Sequence, residues 1–278
     1  MSISNLRWRV ASALVAAGAV AAVLGLAVPA GASTGPRYAS AEQVGYAATG
    51  AQFKVVRATV YLRQPAQYAG AVSQYSHSVQ LWSSGLVAIV GVSASTSGSD
   101  YTPYAKVFDA RSHQLLASNP DGQWCGSSCV PGIGTFPAGD TVVLRLTFFP
   151  NTGFLNFLAD DHTHHLHADY TTATGESFTQ ARVGSEFGSD PWTAPSSFTH
   201  PAAWTKLAAY SGAMLQTYNG KFSTLASWFV HHKVFMAAIT GSLIDVQAAP
   251  TDLSSGGSAF QEWLAPAGVN GPAQPPRG

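Results

Sequence analysis

A carboxylate that is to serve as a general base needs a defined place and a defined neighbour, and Glu186 has at least the place. It is one of four glutamates in 278 residues. It closes the run Phe178-Thr179-Gln180-Ala181-Arg182-Val183-Gly184-Ser185-Glu186-Phe187. In a strand, side chains alternate, so Gln180, Arg182, Gly184 and Glu186 share one face while Ala181, Val183, Ser185 and Phe187 pack inward. Gly184 is expected to leave open space beside the carboxylate. The plain alternative is an edge-strand glutamate standing in water. A second reactive run, Asp160-Asp161-His162-Thr163-His164-His165-Leu166-His167-Ala168-Asp169, holds four of the nine histidines. On a strand, His162 and His164 form an i, i+2 pair able to hold zinc or copper, but a third ligand is missing. A polar hairpin tip is the simpler expectation, and no metal or other cofactor is expected. The aromatic and basic run around Trp228, His231, His232 and Lys233 reads as a strand. Serines abound, yet no Gly-x-Ser-x-Gly elbow singles out a nucleophile.

Composition places this chemistry outside the cell. Arg7 and Arg9 precede an uncharged Ala/Val/Leu-rich stretch, residues 10–28, followed by Pro29-Ala30-Gly31-Ala32, which reads as an export signal cleaved after Ala32. An uncleaved anchor is the alternative, since the stretch is long enough to span a bilayer. The expected product is secreted and extracellular, with no membrane association after cleavage. Lys plus Arg equal Asp plus Glu at 14 each, so losing two arginines leaves a net charge of −2 and no phosphate-binding field. Nucleic acid is therefore not an expected partner, and a monomer is expected. Cys125 and Cys129 in Gln123-Trp124-Cys125-Gly126-Ser127-Ser128-Cys129 most simply form a disulfide in an exported chain. It would close a tiny loop and add little stability.

The elements that must carry Glu186 are strands. Apolar residues recur at period two in 53–62, 79–92, 141–149, 154–159, 178–187 and 222–238, separated by Gly, Ser, Asn, Asp and Pro clusters. Along 141–149, Val142, Leu144, Leu146 and Phe148 point one way, and Val143, Arg145, Thr147 and Phe149 the other. No long helix, internal repeat or nucleotide-binding glycine loop is evident. Two packed antiparallel sheets satisfy this many amphipathic strands, so the expected fold is all-β. Residues 33–44 read as a leader and 265–278, rich in proline and glycine, as a disordered tail, leaving one domain over 45–264.

Taken in order, the blocks resemble the glutamic peptidases, or eqolisins. Gly45-Tyr46-Ala47-Ala48 leading into 53–65 is similar to the family's opening segment, and Pro137–Leu146 to its Pro-Gly-Asp strand entry. Leu86-Val87-Ala88-Ile89-Val90-Gly91-Val92 resembles the strand of the catalytic glutamine, and 101–109 the aromatic strand after it. Residues 181–186 are similar to the strand ending in the catalytic glutamate, and 251–260 to the closing turn. The resemblance implies a concanavalin-like β sandwich and a secreted acid protease in which a glutamate activates water and a glutamine amide orients it. Glu186 falls at the glutamate, whereas Ile89 falls at the glutamine, and Ile89 can neither donate nor accept a hydrogen bond. Gln80 falls where the family has a tryptophan, on the neighbouring strand.

These residues give three expectations. The leading one is a catalytically impaired β sandwich binding a polypeptide or glycan in a concave groove walled by Gln180, Arg182, Trp82 and Ile89. The second is an active acid endopeptidase pairing Glu186 with a relocated glutamine, Gln80 or Gln180. The third is a structural or cell-surface interaction protein. The amide nearest to Glu186 discriminates between the first two.

Overall fold

The computed structural model describes residues 37–276 except 41, 66–73, 96, 119–134, 162–164, 173–174, 188–190, 193–197, 228–230, 241–242, 255 and 271–273. The described chain forms seventeen strands. They are β1 (Arg37–Ser40), β2 (Gln43–Thr49), β3 (Phe53–Tyr61), β4 (Gln74–Trp82), β5 (Leu86–Ser95), β6 (Asp100–Asp109), β7 (Leu115–Ser118), β8 (Phe136–Pro137) and β9 (Thr141–Phe149). They continue with β10 (Phe154–Asp160), β11 (His165–Thr171), β12 (Gln180–Glu186), β13 (Thr205–Thr217), β14 (Phe222–Thr224), β15 (His231–Thr240), β16 (Leu243–Pro250) and β17 (Phe260–Leu264). One 3-10 turn, Leu225–Ser227, precedes β15.

Antiparallel pairing runs β7-β6-β5-β4-β12-β2-β15 in one sheet. The other runs β17-β13-β3-β9-β10-β11, and β16 joins the two by pairing with both β15 and β17. Only β1 pairs in parallel, with β15. Strand β3 packs across β4 and β12, and β9 across β4 and β5, which makes the two sheets a sandwich. Its interior comes from one face of each strand. Val142, Leu144, Leu146 and Phe148 of β9 are buried while Arg145 and Phe149 are not, as the alternation requires. They meet Val79 and Leu81 of β4, Ala181 and Val183 of β12, and Val56, Ala58 and Val60 of β3 in one cluster. The outer face of β4 and β12 is thereby left to carry polar groups.

Three expectations about organisation need correction. Residues 37–40 and 43–44, read as leader, belong to strands, and β2 lies at the centre of its sheet between β12 and β15. Residues 265–270 are tied down, since Ala265 donates to Gln247, Val246 donates to Val269, and Asn270 bridges Asp245. Within 222–238, β14 is followed by the 3-10 turn Leu225–Ser227, and a separate strand, β15, begins at His231. Cys125, Cys129, His162 and His164 lie outside the described residues.

Candidate active site on the outer face of β4 and β12

Register brings the carboxylate and an amide together. Strand β12 pairs with β4 so that Arg182 faces Gln80, Gly184 faces Ser78 and Glu186 faces Ser76. Glu186 and Gln80 are therefore on one face but offset by four residues. Their side chains bridge that offset and meet, with Gln80 Nε2 donating to Glu186 Oε1. Ser78 Oγ, between them, donates to the same oxygen at 2.7 Å and accepts from Gln80 Nε2 at 3.0 Å. All the hydrogen bonds given to Glu186 by described residues fall on Oε1.

Gly184 does not open space, as the sequence suggested. A Cβ there would lie 2.0 Å from the Val44 carbonyl oxygen and 3.0 Å from Gly45 Cα. The glycine instead permits close approach of β12 to β2, whose Gly45 is opposite. On the other flank Gly91 of β5 faces Ser78, and a Cβ at Gly91 would strike the Tyr104 hydroxyl at 2.7 Å. Tyr104 thus lies over Gly91 and shares hydrogen bonds with Ser76 and Ser78. Gly45, Gly184, Ser78 and Gly91 thus form one transverse row beside the dyad, closely packed at Gly45 and Gly184 and covered by Tyr104 at Gly91.

The amide of Gln80 has a fixed sense. Trp82 Nε1, a donor only, bonds Gln80 Oε1 at 2.6 Å, so the NH2 end must be the one facing Glu186. Arg182 covers that indole with its guanidinium carbon 3.9 Å from the ring centroid. Its Nη2 donates to Gln180 Oε1 at 3.3 Å, and its Nη1 donates to Gln43 Oε1. Trp192 stands edge-on to Trp82 and Phe108 and stacks on His113 at 4.1 Å, forming an aromatic wall. Ile89 is opposite Gln80 and buried at 1%, a neutral apolar flank.

Electrostatics decides the protonation state. Glu186 is 4% exposed, so it is not a solvated edge carboxylate. Burial pushes its pKa up from 4.5 to about 7, against the opposing pull of the Ser78 hydrogen bond, Lys106 and Arg182. Arg182 is lowered to about 10 by burial and so remains charged at neutral pH. The dyad is thus a carboxyl group near its midpoint at neutrality, held by an oriented amide and overlooked by two cations, Lys106 and Arg182.

Directly behind it, on the core face of the same two strands, lies a second polar cluster. His77 Nδ1 is 2.8 Å from Ser185 Oγ and 3.2 Å from the Tyr210 hydroxyl, and Ser185 Oγ donates to Glu262 Oε2. All four are buried on the interior side of these strands, so this histidine, serine and glutamate are turned away from the outer face that carries Glu186. Burial lowers His77 to about 3 and raises Glu262 well above its ordinary value.

The sequence anticipated Glu186, Gln80, Gln180, Arg182, Trp82 and Ile89 as neighbours but missed Ser78, Tyr104 and Gln43. Ser78 was legible as the residue two before Gln80 on the same face. A larger cavity of about 390 Å3 lies elsewhere, between Tyr210, Thr251, Phe260 and the terminal Gln274 and Pro275. Its one carboxylate, Asp252, is exposed and paired with Lys233, which gives it no base.

No family model matches the sequence. No characterised protein sequence matches it either. Solved structures do. Scytalido-glutamic peptidase with a transition state analog inhibitor aligns with a TM-score of 0.52 at 13% identity, covering 81% of this chain and 98% of that one. SCP-B, a member of the eqolisin family of peptidases in a complex with the tripeptide Ala-Ile-His, aligns with a TM-score of 0.50 at 12% identity over 81% and 98%. The chain has the β-sandwich fold of these peptidases.

Proposed function

We propose that this protein hydrolyses peptide bonds with Glu186 as general base and Gln80 as its amide partner. The observation that carries the reading is the hydrogen bond from Gln80 Nε2 to Glu186 Oε1, with the amide turned by Trp82. The ground for expecting an incomplete dyad was Ile89, and an amide arriving from β4 supplies what Ile89 lacks. The reaction follows from the geometry. With Oε1 occupied by Gln80 and Ser78, Oε2 is the oxygen left to take a water. As that water's oxygen bonds to the carbonyl carbon, its proton passes to Glu186 and the carbonyl electron pair moves onto oxygen. Collapse of the tetrahedral species breaks the C–N bond, and the departing amine takes the proton back from Glu186. The aromatic wall of Trp82, Trp192 and Phe108 would bind an apolar side chain beside the scissile bond.

The sequence-level expectation of an acid enzyme is replaced here by one working near neutrality. A base must be ionised, and Glu186 is ionised only as pH rises through about 7. The reading of residues 1–32 as an export signal supports action outside the cell. The test is cleavage of heat-denatured serum albumin between about pH 3 and 9, a span bracketing carboxylate and imidazole titration. Wild type should cleave and Glu186→Gln should not. Equal cleavage by both, or none by wild type, would remove the proposal.

A further inference from the structure

The hydrogen bonds that orient Arg182 leave two donors idle. Gln43 is 4% exposed and pairs with Glu186 across β2 and β12. Its Oε1 accepts from Arg182 Nη1, and since arginine only donates, the amide sense is fixed and Nε2 is the free end. Gln43 Nε2 and Arg182 Nε are both buried without a hydrogen-bond partner among the described residues. Burying such groups unpaired is costly, on the order of 1–3 kcal/mol each. Gln43, Arg182, Gln80, Gly184 and Val234 line one small space of about 10 Å3. That is roughly the room one oxygen-sized group needs. The only acceptor that the polar side chains Gln43, Gln80 and Arg182 bring to it outside their mutual bond, Gln80 Oε1, is already taken by Trp82. Among Gln43, Gln80 and Arg182 the spare capacity is all donor, beside a fixed positive charge.

Resting on the hydrolase reading above, we infer that Gln43 and Arg182 form the pocket for the substrate's carbonyl oxygen and hold the negative charge it gains when water adds. The electron pair displaced from the C=O bond would rest on an oxygen bonded to Gln43 Nε2 and facing the Arg182 guanidinium. Gln80, fully engaged with Glu186 and Ser78, then need not supply an oxyanion donor. Two amides divide the work that one would otherwise perform: Gln80 sets the base, and Gln43 receives the charge. Removal of one such donor typically lowers turnover about 100-fold to 1,000-fold.

The experiment uses the full chain with two variants. Gln43→Glu keeps an oxygen for Arg182 Nη1 but replaces the idle donor by an acceptor, so the fold is retained. Gln43→Leu removes both. Each should lower kcat about 100-fold with KM changed less than about threefold. Each should also weaken binding of a phosphinic pseudopeptide, whose anionic tetrahedral oxygen imitates the transition state, by a similar factor, while binding of the matching amide peptide to Glu186→Gln is hardly altered by adding Gln43→Glu. Retained turnover in Gln43→Glu, with only thermal stability shifted, would mean that the space holds a structural water and would overturn the inference while leaving the hydrolase reading intact. If Glu186→Gln cleaves like wild type, the hydrolase reading fails instead, and phosphinic binding insensitive to Gln43 would then reject the pocket as well.

Discussion

Trp82 donates its indole N–H to Gln80 Oε1 at 2.6 Å, and this single bond decides which end of the amide meets Glu186. An unoriented amide could equally present its oxygen to the carboxylate, where two acceptors would repel. Trp82→Phe keeps an aromatic surface for Arg182 but removes the donor. It should reduce turnover at least tenfold, leave KM nearly unchanged, and destabilise the fold by about 1–3 kcal/mol because a buried carbonyl loses its partner. Steady-state kinetics and urea denaturation check both parts.

Gly184→Ala tests the close approach of β12 and β2. With a Cβ placed 2.0 Å from the Val44 oxygen, the two strands must separate. Forced overpacking usually costs about 1–3 kcal/mol, and a clash with backbone lies at the upper end. The denaturation midpoint should fall, and activity should fall further than that of a control substitution at exposed Thr141.

Glu186 makes the stability of the protein fall as the medium passes from acid to neutral. Its folded pKa is about 7 against 4.5 unfolded, so its stabilising share is fully present below pH 4.5 and is lost as pH rises through 7. Glu262, also raised by burial, extends the loss in the same direction. Glu186→Gln imitates the protonated form at all pH values. Relative to wild type it should gain about 3 kcal/mol between pH 4.5 and 7.5, read from denaturant unfolding. A constant difference across that interval would contradict the buried, proton-holding state.

His77 acts in the opposite sense. Its folded pKa of about 3 lies below the ordinary 6.5, so its contribution is present above pH 6.5 and is lost as pH falls through 3. His77→Phe retains ring stacking against Tyr101, now at 5.6 Å, and has nothing to protonate. The variant should unfold at a lower pH in an acid titration followed by tryptophan fluorescence, even if its stability at neutral pH is reduced.

Much of the sandwich was legible because burial writes itself at period two. Strand β9 shows this, with Val142 to Phe148 alternating without a break. Strand β13, the longest at thirteen residues, was not recognised, because register shifts between Lys206 and Ala208 and between Ser211 and Met214 interrupt the alternation. Strand β2 escaped for another reason: Gln43-Val44-Gly45-Tyr46-Ala47-Ala48 is buried on both faces, so polarity does not alternate. Glu186 and Gln80 were visible as types on compatible faces. Their meeting depended on a cross-strand offset, which only the register of β4 against β12 supplies.

The transverse row of Gly45, Gly184, Ser78 and Gly91 has a bearing on selectivity. Of these four positions only Ser78 carries a side chain, and Tyr104 covers Gly91, so a polypeptide lying beside the row would meet two hydroxyls and little else that could tell one amino acid from another. Discrimination would fall to its margins, where the indoles of Trp82 and Trp192 stand at one side. An enzyme built this way should cut many unrelated chains, with preference confined to the position that reaches those rings.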